Sequence, residues 1–133
     1  MLAWIDICAA VCAQRHCQEV SVTASMDDVH FHSPIGVGEA VTLRARVIAA
    51  FHTSMEVGVT VTAENLRNGK KRLSTSALLT FVALRPDGAR ADVPPLAFDS
   101  DAERAAQTEA QVRRDERLAR RGIGRGWQQL LGS

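Results

Sequence analysis

Residues 2–17 constrain the fold more than any other stretch. They read Leu-Ala-Trp-Ile-Asp-Ile-Cys-Ala-Ala-Val-Cys-Ala-Gln-Arg-His-Cys, with no proline and no glycine. Placed on a 3.6-residue period, the segment is apolar nearly all the way round, which predicts a helix buried on every side. Arg15 and His16 fall in its last turn, where the helix dipole favours positive charge. Such a helix requires another layer to wrap it.

The following residues supply that layer. Their period changes from helical to alternating. Val20, Val22, Ala24 and Met26 alternate with Ser21, Thr23, Ser25 and Asp27; the phase then flips, with Val29 and Phe31 between Asp28, His30 and His32. A flip inside one strand predicts a bulge or bend near Asp27–Asp28. Residues 33–39 form a turn region around Pro34, Gly36 and Gly38. A strand then carries Val41, Leu43, Ala45, Val47, Ala49 and Phe51 on one side. The next carries Met55, Val57, Val59, Val61 and Ala63. The last runs from about Arg72 to Leu84, with Leu73, Thr75, Ala77, Leu79, Phe81 and Ala83 on one side. Asn68-Gly69 predicts a tight type I′ hairpin between the last two. Because no helix separates the strands, the sheet is expected to be mostly antiparallel and the fold class α+β.

After Val93-Pro94-Pro95 the composition shifts. Residues 99–121 hold six acids and six arginines with few large apolar groups. This reads as a solvated helix with charge pairs four residues apart. The expected organisation is one domain over residues 1–98 and a charged helical tail over residues 99–133, whose end carries Trp127, Leu130 and Leu131, frayed or docked on a neighbour.

The 133 residues carry a net charge of +1, without bias in either part. A nucleic-acid partner, which calls for a basic excess, is therefore not expected. No apolar run reaches the length needed to cross a bilayer, so no membrane insertion is expected. No signal peptide is read at the start. Cys8, Cys12 and Cys17 are an odd number of thiols on a predicted helix, which argues against a disulfide framework and for a cytoplasmic setting. Cys8, Cys12 and His16 share one helix face, but the outer two lie about 12 Å apart along the axis at 1.5 Å per residue. Zinc ligands lie about 2.0–2.3 Å from the ion, so the three cannot share one zinc. Asp28, His30 and His32 are spaced by about 6.6 Å along a strand, too far for one ion to hold all three. No metal and no cofactor are expected.

Asp6 is the sharpest single residue. A carboxylate on an otherwise apolar helix costs several kcal/mol of desolvation, about 2–7 for a polar group, unless solvated or partnered. It reads either as a surface acid complementing the helix dipole or as a function-bearing group.

An ordered set of short motifs adds a family resemblance: Leu2-Ala3-Trp4-Ile5-Asp6, Arg15-His16-Cys17, Val22-Thr23-Ala24-Ser25, Phe31-His32-Ser33-Pro34-Ile35-Gly36-Val37-Gly38, Thr53-Ser54-Met55-Glu56-Val57 and Thr80-Phe81-Val82-Ala83-Leu84. Over roughly residues 1–98 the chain resembles acyl-CoA thioesterases of the hotdog superfamily, in the group of bacterial broad-range and brain-type cytosolic acyl-CoA hydrolases. The resemblance implies a long helix wrapped by a curved antiparallel sheet, pairing into dimers and trimers of dimers with active sites at the dimer interface. It implies an acyl-CoA substrate and makes Asp6 the catalytic carboxylate, as general base or nucleophile. It also implies a preceding strand and a loop with an asparagine and a His-Gly-Gly-like turn; this sequence opens directly on the helix, so that first strand is read as missing.

Within that frame, Thr53 and Ser54, at a turn between strands, are expected to contact the pantetheine arm or phosphates of the substrate. Arg46 is the expected phosphate contact, with Arg44, Lys70 and Lys71 as further candidates. Ile48, Ala50, Leu78, Val82 and Leu84 form an apolar set opposite the core, which predicts at least a dimer. Two other readings stand beside hydrolysis. One is a hotdog hydratase or dehydratase, against which Gly36 stands where those enzymes usually carry a histidine after the Pro-Ile turn. The other is a non-catalytic hotdog subunit that binds acyl-CoA or serves in assembly.

Overall fold

The computed structural model describes the backbone of residues 1–132 and the side chains of residues 1–120. The chain forms two compact units, Met1–Leu96 and Ala97–Ser133. The first contains α1 (Leu2–Cys17), β1 (Val20–Phe31), β2 (Glu39–Ala50), β3 (Ser54–Asn65) and β4 (Lys71–Leu84). The second contains α2 (Asp101–Gly132). In α2, Asp101 and Glu103 occupy the first turn, where their charge complements the dipole. The Ser100 hydroxyl accepts the Glu103 N–H at 3.2 Å, a side-chain cap. Trp127, Leu130 and Leu131 lie outside the residues whose side chains are described.

The four strands form one antiparallel sheet in the order β1-β4-β3-β2. Helix α1 packs on one face. Ile5, Ala9, Ala13 and Cys17, each four residues apart, are its buried stripe. They pack with Met55, Val57, Val59, Val61, Ala77, Leu79, Phe81 and Ala83 into one core. The expectation of a helix buried on all sides is corrected here. A single sheet covers one side of a cylinder, and Trp4 and Ile7 remain 64% and 54% exposed. The helix ends at Gln18, whose left-handed backbone (φ 57°) lets its N–H reach the Gln14 carbonyl at 2.8 Å. Only Gln18 and Glu19 separate α1 from β1.

Bulges redirect side chains in three strands. In β1 the register shifts between Asp27 and His30, where Asp28 has φ 50°, at the predicted bend; a second shift lies between Thr23 and Ser25. Before that second shift the faces run opposite to the hydrophobic pattern. Ser21 and Thr23 pair with Ala83 and Phe81 and face the helix, while Val20 and Val22 are 61% and 44% exposed on the outer side. A bulge at Ile48 puts Ala50 on the core side and leaves Ala49 paired with the outward Glu56. The expected outer set therefore loses Ala50. In β4 the register skips Ser74, which turns Leu73 out of the predicted core face to 43% exposure.

The β3–β4 connection lies where Asn68-Gly69 predicts it, but it is not a two-residue type I′ turn. Asn65 and Lys70 close the ladder, leaving residues 66–69 in the loop. Gly69 has φ 70° and Asn68 does not have a positive φ. The Asn65 and Asn68 side chains instead accept the N–H groups of Arg67 and Lys70, each at 2.9 Å, which stabilises the longer loop locally.

Candidate active site

Asp6 is the fifth residue of α1, and no acid lies in the first turn. Helix side chains lean toward the N-terminus, so its carboxylate sits over the opening turn. The first intrahelical bond there runs from the Ile5 N–H to the Met1 carbonyl at 3.1 Å. The N–H groups of Leu2, Ala3 and Trp4 precede it and have no partner within the helix.

Asp6 is half-buried and partnered. The Thr23 hydroxyl donates to its Oδ1 at 2.7 Å, from a residue seventeen positions along the chain. That contact exists because the first half of β1 turns its polar set toward the helix. Among the described residues Asp6 makes no other hydrogen bond. Sequence reasoning did not single out Thr23 as a site residue, although the Val22-Thr23-Ala24-Ser25 motif contains it.

Thr53 ends the β2–β3 turn and Ser54 opens β3; both are half-buried. The turn is fixed through its backbone. Phe51 N–H donates to the Ser54 carbonyl at 2.8 Å, and Ala83 N–H donates to the Thr53 carbonyl at 3.1 Å. Thr23 and Met55 flank Phe81 on either side of β4. Two interstrand spacings, about 10 Å, thus separate the Thr23 strand from the strand that Ser54 opens. Thr53 and Ser54 lie toward the same end of the sheet as Thr23, but Ser54 pairs with the outward Val82 and so faces the side away from Asp6. His52 meets Asp92 at 3.4 Å, and both side chains are largely exposed.

Arg46 does not join that group. It pairs with Gly58 in mid-strand and projects from the outer face. There it borders a hollow of about 870 Å³, together with Arg44, His30, Asp28, Ile48 and Leu78. His30 and His32 stack with ring centroids 6.2 Å apart, and the His32 Nε2 lies 3.1 Å from the Ser76 hydroxyl. Lys70 and Lys71 sit at the β3–β4 loop, away from both regions. Among the described residues no three His, Cys, Asp or Glu are placed to hold a metal ion. Among the described residues no helix is long and apolar enough to cross a membrane.

Residues 1–70 match the profile of the thioesterase superfamily. The chain is 36% identical to the uncharacterized acyl-CoA thioester hydrolase YkhA of Bacillus subtilis (strain 168), covering all of this chain and 77% of that one. It is 34% identical over 119 residues to a rat cytosolic acyl coenzyme A thioester hydrolase, of which the match spans 31%. Among solved structures, an acyl-CoA hydrolase of Staphylococcus aureus in complex with butyryl coenzyme A and coenzyme A superposes with a TM-score of 0.85 at 35% identity, covering 99% of this chain and 80% of that one. An apo-hexameric acyl-CoA thioesterase superposes with a TM-score of 0.84 at 38% identity, covering 90% and 76%. Structures of alanine variants of the Staphylococcus enzyme include one at an aspartate and one at a threonine. In that protein the two stand seventeen positions apart, the same separation as Asp6 and Thr23.

Proposed function

The chain belongs to the thioesterase superfamily, and from that premise we propose that it hydrolyses the thioester of acyl-CoA to a free acid and coenzyme A. The observation that carries this reading is the Asp6 carboxylate, held at Oδ1 by Thr23 on a half-buried stretch of helix.

Thioester hydrolysis needs a base for water or a nucleophile for the acyl group, and donors for the developing oxyanion. Asp6 supplies the first. As a base, Oδ2 takes a proton from water while the water oxygen bonds to the thioester carbon; collapse of the intermediate then expels the coenzyme A thiolate. As a nucleophile, Oδ2 bonds to that carbon itself, and water then cleaves the mixed anhydride. Thr23 is a positioning residue: its donated hydrogen bond fixes the carboxylate rotamer. The first-turn N–H groups of α1 are the candidate donors to the oxyanion.

Thr53 and Ser54 contact the pantetheine arm of the substrate at the same end of the sheet. Arg46, on the outer face, serves a phosphate if a second protomer brings its own active site to that face. The active assembly is a homo-oligomer, built as a trimer of dimers, in keeping with the hexameric neighbour. It works in the cytoplasm, as the cytosolic relative does.

The test is thiol release from acyl-CoAs of short to long chain by wild type and Asp6→Asn. Hydrolysis by wild type with a loss of about 10²–10⁴-fold in the variant, at unchanged oligomer mass, is the expected outcome. Equal rates in the two proteins would remove Asp6 from the mechanism.

A further inference from the structure

We propose that Cys8 and Cys12 form a binding site for a soft, thiophilic acceptor held between two sulfurs, of which trivalent arsenic is the type. The thiols lie one turn apart on α1, a spacing that brings Cβ atoms to about 5–6 Å. Both are free and half-buried. They line a hollow of about 370 Å³ between α1 and β2, together with Val11, Arg15 and Ala45. The third thiol is elsewhere: Cys17 is buried in the core and donates to the Glu19 carbonyl at 3.4 Å. His16, the other candidate on this helix face, has its Nε2 2.8 Å from the Pro94 carbonyl.

The donor set selects the ligand. Structural zinc takes four ligands, and calcium and magnesium take oxygen. Two sulfurs in a mostly apolar hollow suit a soft acceptor that needs only a pair. The Cys12 thiol is raised overall from its ordinary pKa, with burial the largest cause; the Val47 backbone N–H draws it down, the neighbouring Cys8 raises it and Arg15 lowers it. The reaction with an arsenous hydroxide is a condensation without redox change. Two As–S bonds form and two As–O bonds break; each thiol proton leaves with a hydroxyl group as water.

The experiment treats the full chain with phenylarsine oxide and reads intact mass under excess 2-mercaptoethanol, which competes for single thiols. Wild type is expected to retain one equivalent and to release it to dithiothreitol. Cys8→Ser and Cys12→Ser are each expected to retain at least tenfold less, and Cys17→Ala to retain as much as wild type. Circular dichroism on each variant confirms that retention is compared between folded proteins. No retained equivalent in wild type overturns the proposal. So does retention in either single serine variant equal to wild type, or loss in Cys17→Ala alone.

Discussion

Ile48 lies directly over Gly58. A Cβ built on Gly58 would come within 2.5 Å of the Ile48 Cδ1 and 3.2 Å of its Cγ1. A side chain at position 58 would therefore have to displace Ile48, while the backbone conformation itself does not call for glycine. Gly58→Ala should destabilise by about 1–3 kcal/mol, the usual cost of overpacking. Ile48→Val removes Cδ1 and should recover much of that loss in the double variant, although alone it costs about 0.5–1.5 kcal/mol. Urea midpoints at constant m-value measure both; additive effects would show that the contact carries no strain.

Thr23→Val keeps the side-chain volume and removes the donor to Asp6. Expected is a fall in kcat of roughly tenfold, about 1.4 kcal/mol, with KM little changed. Thr23→Ser should restore most of the rate. A Thr23→Val enzyme with wild-type kcat would show that the carboxylate is positioned by something else.

Acid should release the turn that leads into β2. Arg72 donates to both oxygens of Glu39, and the Gly36 N–H donates to Oε1 at 2.7 Å. The Arg72 hydrogen bond foremost, and the Gly36 bond after it, lower the Glu39 carboxyl from 4.5 to about 2. A depressed folded-state pKa contributes stability above the unfolded value and loses it as pH falls through the folded one. The stability advantage of wild type over Glu39→Gln should therefore be full above about pH 4.5 and vanish toward pH 2. Denaturant midpoints across that window check it; a gap that stays constant with pH would assign the difference to packing.

Val20 pairs with Leu84 and Val22 with Val82, and all four point to the outer side of the sheet. An apolar patch of this kind on edge strand β1 calls for a covering surface. At micromolar concentration the protein should sediment at a mass of at least twice 14.4 kDa. Charging the patch with Val20→Asp and Val22→Asp should lower that mass. A monomer for the wild type would refute the prediction.

Much of the fold was legible because period alone decided it. The apolar run to Cys17 and the alternation in β2, β3 and β4 marked helix and strands, and the phase flip at Asp27–Asp28 marked the bend. The bulges at Ile48 and Ser74 left no trace, because apolar or small residues stand on both sides of each and the alternation continues across them. The first half of β1 misled for a physical reason. Its valines face outward and its hydroxyls face the helix, so the rule that apolar residues point to the core runs backwards there. One consequence is that the buried Ser21 Oγ has no hydrogen-bond partner among the described residues. Asp6 was legible as a misplaced charge. Thr23 was not, because its role rests on a contact between helix and strand that no local pattern encodes. Alternation already places Arg46 on the polar side of β2; the strand register pairs it with Gly58 on the face away from Asp6.

The two-residue link Gln18–Glu19 acts as a ruler. It starts β1 so soon after α1 that a count of residues, rather than any side chain in between, decides which faces of β1 meet Asp6. Substitutions within the link leave that count intact. One inserted residue would reverse the parity of the strand up to its first bulge, presenting Val22 to the carboxylate and turning the threonine hydroxyl to solvent. The pairing of acid and hydroxyl thus depends on the length of the link as well as on the two side chains.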